Sequence, residues 1–89
     1  MDPEFDWDVD KAASNLAKHG VSFEVVPNLP WSEMDVRRDG RFDYGKERWR
    51  ALDVSNRLLI VFTRRGGRYR IISVRRVHAK EVRQWERRS

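Results

Sequence analysis

The sequence predicts one α+β domain: an N-terminal helix, a three- to four-stranded antiparallel sheet and a C-terminal helix. Three observations carry this. Helical spacing of apolar residues opens the chain near residue 9, short turns separate strand-like runs between residues 48 and 75, and helical spacing returns after residue 78. Eighty-nine residues, 39% hydrophobic and 37% charged, can enclose one core and not two. A domain of this size buries only about 60% of the surface its unfolded chain exposes, so a thin, sheet-backed core is expected, without an enclosed site for a large cofactor. The domain is taken as residues 5–89, because Met1-Asp2-Pro3-Glu4 reads like the translation of a cloning site.

The first helix is marked by Val9, Ala12, Ala13, Leu16 and Ala17, an i, i+3, i+4, i+7, i+8 stripe with Lys11, Ser14, Asn15 and Lys18 opposite. Asp8 can cap its free amides, and Gly20 can supply the left-handed residue that ends it. Ser22 can cap a second helical turn through Val26, which Pro27 and Pro30 cut short. Trp31, Met34 and Val36 then imply a short, irregular strand that gives way at Asp39-Gly40. A loop runs to Gly45. Arg48 to Ser55 reads as a strand, Asn56 as a tight turn, and Leu58 to Arg64, the most apolar run in the chain, as the central strand. Gly66-Gly67 provides the positive φ of a hairpin onto Tyr69 to Arg75. Ala79, Val82 and Trp85 give the C-terminal helix. There is no internal repeat and no low-complexity stretch.

Charge is divided along the chain. Residues 1–45 hold five Lys/Arg against ten Asp/Glu, and residues 46–89 hold fourteen against four. Fifteen of the nineteen cations are Arg, whose planar fork binds phosphate oxygens bidentately, so a phosphate-bearing partner is expected over a merely solvated cationic face. The absence of cysteine removes disulfides, thiolate metal sites and thiol nucleophiles, and fits a reducing cytoplasm. No apolar run approaches the roughly 20 residues needed to span a bilayer, and the acidic start is unlike a secretion signal.

Hydrolase and metal templates find no footing: there is no HExxH, no GxSxG and no P-loop, and the two histidines are far apart in sequence. Neither metal nor cofactor is expected. Strict alternation along the last strand would place Tyr69, Ile71, Ser73 and Arg75 on one face and Arg70, Ile72, Val74 and Arg76 on the other. Cleaving RNA without a metal requires a base for the 2′-hydroxyl, cations for the phosphorane and an acid for the departing 5′-oxygen. Glu47 or a histidine, His19 or His78, can carry protons. Arg48, Arg64, Arg75 and Arg76 can serve the phosphate, and Tyr69 or Tyr44 can stack on bases. Trp7, Trp49 and Trp85 read as core or interface residues. His19 also suits a helix C-terminus on charge alone, and Lys46-Glu47-Arg48 equally suits a solvated strand entrance.

Several stretches taken together resemble the BrnT family of bacterial toxins: Phe5-Asp6-Trp7-Asp8, Lys11-Ala12-Ala13, Asn15-Leu16, Lys18 to Phe23, Glu47-Arg48-Trp49, Val61-Phe62-Thr63, and Ile71 to Arg76 with Glu81. The likeness runs from Phe5 to Glu86. It implies a RelE-like fold, a ribonuclease activity that arrests translation, and neutralisation by a BrnA-like antitoxin with a ribbon-helix-helix DNA-binding part. Operator DNA would be met only through the complex, within which a dimer is left open. The family's motif positions fall on Lys18, His19, Glu47, Arg48, Ser73, Arg75 and Arg76. Two departures stand out: Pro27 and Pro30 interrupt a region that is helical in such proteins, and His78 stands where a Ser or Thr usually precedes the last helix.

The resulting expectation is a cytoplasmic, metal-independent endoribonuclease toxin. Its catalytic set would be Glu47 as base with Arg48, Arg64, Arg75, Arg76 and His19, and its RNA contacts Lys18, Lys46, Tyr69, Ser73 and His78. The alternative is a module that binds RNA or the ribosome without cutting. In either case the toxin's acidic half could dock a basic antitoxin segment.

Overall fold

Chain order is β1 (Glu4–Trp7), α1 (Val9–His19), β2 (Asp35–Asp39), β3 (Arg48–Asp53), β4 (Leu58–Arg65), β5 (Arg68–Arg76) and α2 (Ala79–Arg87), with short 3-10 turns at Phe23–Asn28 and Trp31–Glu33. This computed structural model describes residues 4–39 and 47–88. Lys46 and Tyr44 therefore lie outside the described residues. Five strands form one sheet in the order β1-β5-β4-β3-β2. The antiparallel meander β2 to β5 is the one the turn residues predict. Gly66 and Gly67 have φ of 52° and 83° at the β4–β5 hairpin. At the β3–β4 turn the buried Asp53 carboxylate accepts hydrogen bonds from the Asn56 backbone (3.3 Å) and side-chain amide (2.6 Å).

β1 is an addition to the expected sheet. It lies parallel to β5, with Glu4 opposite Arg68 and Trp7 opposite Ile71. The Glu4 carboxylate accepts from Arg68 Nε at 3.1 Å. Parallel pairing needs a long connection; here α1 and the 3-10 segment carry the chain from β1 at one edge to β2 at the other, and the meander through β3 and β4 brings it back to β5.

α1 has the predicted ends. Asp8 Oδ1 accepts from Asp10 N at 2.8 Å, and Gly20 adopts φ of 71° while its N–H donates to the Leu16 carbonyl. The buried face is not the predicted one. Leu16 is 50% and Val9 77% exposed, whereas Asn15, assigned by periodicity to the solvent side, is 6% exposed. The reason is local to β5. β1 reaches only as far as Ile71, and beyond it the Asn15 amide takes over the strand edge. Asn15 Nδ2 donates to the carbonyls of Val74 (2.8 Å) and Val21 (3.1 Å), and Val74 N–H donates to Asn15 Oδ1 (3.2 Å). A buried backbone edge without partners is costly, and one side-chain amide with two donors and an acceptor satisfies it.

The two faces of the sheet differ. On the core face, Ala51, Leu58, Ile60, Phe62, Ile71 and Val74 pack under Val21, Phe23 and Val26. Trp31, Phe62, Tyr69 and Phe5 form an aromatic cluster there, with Phe62 and Tyr69 stacked at 4.6 Å. The other face carries a smaller cluster of Leu52, Leu59, Val77 and Val82 with Trp85 of α2 packed against it. Between Val61 and Phe62 the register slips: Val61 faces Ser73 and Phe62 faces Ile71, leaving Ile72 as an extra residue in β5.

That bulge changes the phase of the strand. Tyr69 and Ile71 share the core face with Val74 and Arg76, and Ser73 and Arg75 join Arg70 on the α2 face. Simple alternation had set Ser73 and Arg75 with Tyr69; the extra residue is the physical reason for the correction. The separation of Arg75 from Arg76 to opposite sides holds.

Replacing Asn15 by Ala strands a buried N–H and two carbonyls and should destabilise the fold by about 2–4 kcal/mol. Leu16→Glu, on the exposed stripe, should change stability by less than about 0.5 kcal/mol. Urea unfolding of both variants checks this pair, and a large loss for Leu16→Glu with none for Asn15→Ala would contradict the account.

Candidate functional site

Arginines dominate the α2 face because strand periodicity repeats them across adjacent strands. Reading across the register, Arg48, Thr63 and Arg70 stand side by side, then Arg37, Arg50, Val61 and Ser73, then Asp35, Leu52, Leu59 and Arg75. α2 covers the last of these rows through Leu52, Leu59 and Val82. The first row stays open as a small pocket, where Arg65 and Lys11 of α1 stand beside Arg48, Thr63 and Arg70. Arg48 and Arg75 are two strands and four residues apart, roughly 16 Å at the backbone from standard sheet spacings, so they stand at well-separated points of this face.

Two polar ties hold α2 against the sheet. In its first turn, Glu81 receives a bidentate pair from Arg75, at 2.9 and 3.2 Å, and a weaker 3.4 Å bond from the His78 backbone N–H. His78 occupies the N-cap position with an exposed side chain. In the last turns, Trp85 Nε1 donates to Asp35 Oδ2 at 2.7 Å. Arg37 donates to the same oxygen and, at 2.8 Å, to the Trp85 carbonyl, with its guanidinium 4.2 Å from the indole centroid.

These contacts hold both carboxyls below their ordinary values: Glu81 chiefly through the Arg75 hydrogen bonds, Asp35 chiefly through the Trp85 indole and then Arg37. The Arg50 guanidinium lies 5.2 Å from the Trp85 ring centroid, and its Nε, like Trp49 Nε1 and Asp6 Oδ1, is buried without a hydrogen-bond partner among the described residues, a situation that costs about 1–3 kcal/mol.

The predicted site residues divide between the faces. Arg48, Ser73 and Arg75 stand on the α2 face, and His78 begins α2. Arg64 lies on the core side, its guanidinium 4.0 Å from the Trp49 ring and 5.3 Å from the Tyr69 ring. Tyr69 is half-buried in the aromatic cluster. Glu47 pairs with Arg38, a neighbour of Trp49 across the sheet, at 3.5 Å between two exposed side chains. Arg76 borders a core-side groove with Leu58, Val25 and Leu29. Lys18 and His19 occupy the last turn of α1.

A single pocket therefore does not gather all of the predicted arginines. Sequence reasoning passed over Arg37, Arg50, Arg70 and Glu81 as site residues and read Trp85 as a core or interface residue. The signal was present in the alternation Arg48-Trp49-Arg50 and in the Glu81/Trp85 spacing of one helical turn, which only the pairing of β2, β3 and β5 connects.

The sequence model of the ribonuclease toxin BrnT of type II toxin-antitoxin systems matches residues 7–81. The chain belongs to the BrnT family. Among solved structures, it is similar to the crystal structure of the Brucella abortus ribonuclease toxin BrnT, with a TM-score of 0.66 and 23% identity over 86% of this chain and 99% of that one. No match is found among curated proteins. The α+β fold is thus that of a BrnT toxin, and the family supplies an antitoxin partner and ribonuclease activity as the class of function.

Because Glu81 titrates below its ordinary value of 4.5 in the folded protein, its ion pair contributes stability that is fully present above pH 4.5 and lost as pH falls through the lowered value. Glu81→Gln should therefore lower the urea midpoint most at neutral pH, and the gap to wild type should close toward pH 2. A gap that widens on acidification would contradict the sign.

Proposed function

We propose that the α2 face binds single-stranded RNA and cleaves it without a metal ion, arresting translation in the cytoplasm until a BrnA-like ribbon-helix-helix antitoxin neutralises the toxin. The observation that carries the reading is the concentration of guanidiniums on one face of the sheet: Arg48, Arg50, Arg65, Arg70 and Arg75 lie within three adjacent strands or at their ends. Among the described residues no carboxylate pairs with Arg48, Arg50 or Arg65, so these cations remain available for phosphate. No three His, Cys, Asp or Glu side chains among the described residues stand together as metal ligands, and charge compensation in the transition state is assigned to arginine.

In this mechanism Arg75 faces the scissile phosphate from beside α2. Glu81 is a positioning residue that fixes the guanidinium plane. Its depressed pKa makes it a weak base. His78 at the N-cap of α2, whose backbone N–H donates to Glu81, is assigned as the proton carrier of this site, imidazole being a side chain suited to general acid-base work. The ribose 2′-oxygen attacks phosphorus as its proton passes to the base, and the P–O5′ bond breaks as the 5′-oxygen takes a proton. A 2′,3′-cyclic phosphate and a 5′-hydroxyl result. Glu47 and Arg64 form the rival pair, on the opposite side of the sheet, and the antitoxin complex would act on operator DNA through the antitoxin alone.

Purified protein should cleave RNA in the presence of a chelator and leave 2′,3′-cyclic ends. Arg75→Ala should reduce cleavage by about 10²- to 10³-fold, the usual loss for one group stabilising developing charge, while Arg64→Ala changes it by less than about threefold. Collapse of activity in Arg64→Ala with full activity in Arg75→Ala would move the site to the core face. RNA binding without new ends under any condition would establish a binding module instead.

A further inference from the structure

Between α2 and the sheet lies a cavity of about 140 Å³, separate from the open row at Arg48 and Arg70. Its floor is apolar, made by Leu52, Leu59 and Val77, and the Trp85 indole and Gln84 amide stand in its wall. Four guanidiniums border it, but they are not equivalent. Arg37 is paired with Asp35 and Arg75 with Glu81. Arg50 and Arg88 have no carboxylate partner among the described residues, and the Arg50 Nε–H is buried with nothing to accept it. The cavity thus combines an apolar floor, an amide able to read a polar edge, two uncompensated positive charges and an unfilled donor.

We propose that this cavity is a nucleotide subsite for a residue of the RNA flanking the scissile bond, with the phosphate on Arg50 and Arg88 and the base over the apolar floor beside Gln84. The inference rests on the reading of the α2 face as the RNA face. A base is flat and apolar on its faces with hydrogen-bonding edges, which fits floor and amide together, and the Arg50 and Arg88 guanidiniums, with no carboxylate to offset them among the described residues, supply the charge a phosphate requires. The amide carries both a donor and an acceptor, so Gln84 is placed to discriminate between bases rather than merely to attract them.

The test uses the whole protein labelled with ¹⁵N and a tetranucleotide methylated at every 2′-oxygen, which cannot be cleaved. Binding should shift the Arg50 Nε–H, Gln84 side-chain and Trp85 indole resonances. Arg50→Ala should weaken binding at least tenfold, and Gln84→Ala should flatten the ranking among tetranucleotides that differ at one base. Shifts confined to the open row at Arg48 and Arg70, with Arg50, Gln84 and Trp85 unmoved, would overturn the subsite while leaving the RNA face intact. Shifts at Arg50 and Gln84 in a protein that never cuts RNA would support the subsite and overturn the nuclease reading. Absence of any shift would overturn both.

Discussion

One side-chain amide sets the layout of this protein. β1 pairs with β5 only as far as Ile71, the extra residue Ile72 follows, and the Asn15 amide then takes hold of Val74 at both its N–H and its carbonyl. The bulge lies between two anchored points, a strand on one side and the Asn15 clasp on the other. Its phase shift sends Ser73 and Arg75 to the α2 side while Val74 fills the core. The same clasp ties α1 to β5, so α1 needs little of its apolar stripe in the core: Ala12 packs there, and Val9 and Leu16 are left at the surface.

From that layout the electrostatics follow. The core face is closed by aromatic and aliphatic side chains, and the other face is only half covered because α2 is short and binds through Val82, Trp85 and two polar ties, one an ion pair and one an indole–carboxylate hydrogen bond. Cations that repeat every second residue on neighbouring strands therefore accumulate on a surface with few anions to offset them. Carboxylates are nevertheless placed where they organise arginines: Asp35 against Arg37, Asp6 against Arg70 and Glu81 against Arg75. Such pairs fix guanidinium planes while Arg48, Arg50 and Arg65 keep their charge for a ligand, an arrangement suited to a polyanion that must be both attracted and oriented.

Much of the fold was legible in the sequence. Asp8 and Gly20 mark α1 to the residue, Gly66-Gly67 marks the hairpin, and Leu58 to Arg64 is nearly the whole of the central strand. Each of these signals is local, and so is its cause. β1 was not legible, because four residues in a parallel pair are specified by a partner more than sixty positions away. Helical periodicity found α1 and chose the wrong face, since it reports where apolar residues lie and not which side has something to meet. The bulge at Ile72 is invisible for the same reason: Ile71-Ile72 reads as unbroken strand, and only its register against Val61 and Phe62 shows the slip. The reading of the candidate site was altered by the same slip: Arg75 falls on the α2 face and not beside Tyr69, and Arg50 and Glu81 were passed over because one looks like a strand cation and the other like a solvated helix residue.

The account depends on RNA meeting the α2 side of the sheet. Photo-crosslinking of an RNA carrying 4-thiouridine and a 2′-O-methyl block at the cleaved position, followed by mass spectrometry of the peptides, tests this most directly. The account predicts adducts on Arg50, Arg70, Ser73, Arg75 and α2; adducts restricted to Glu47, Arg64, Tyr69 and Arg76 would contradict it.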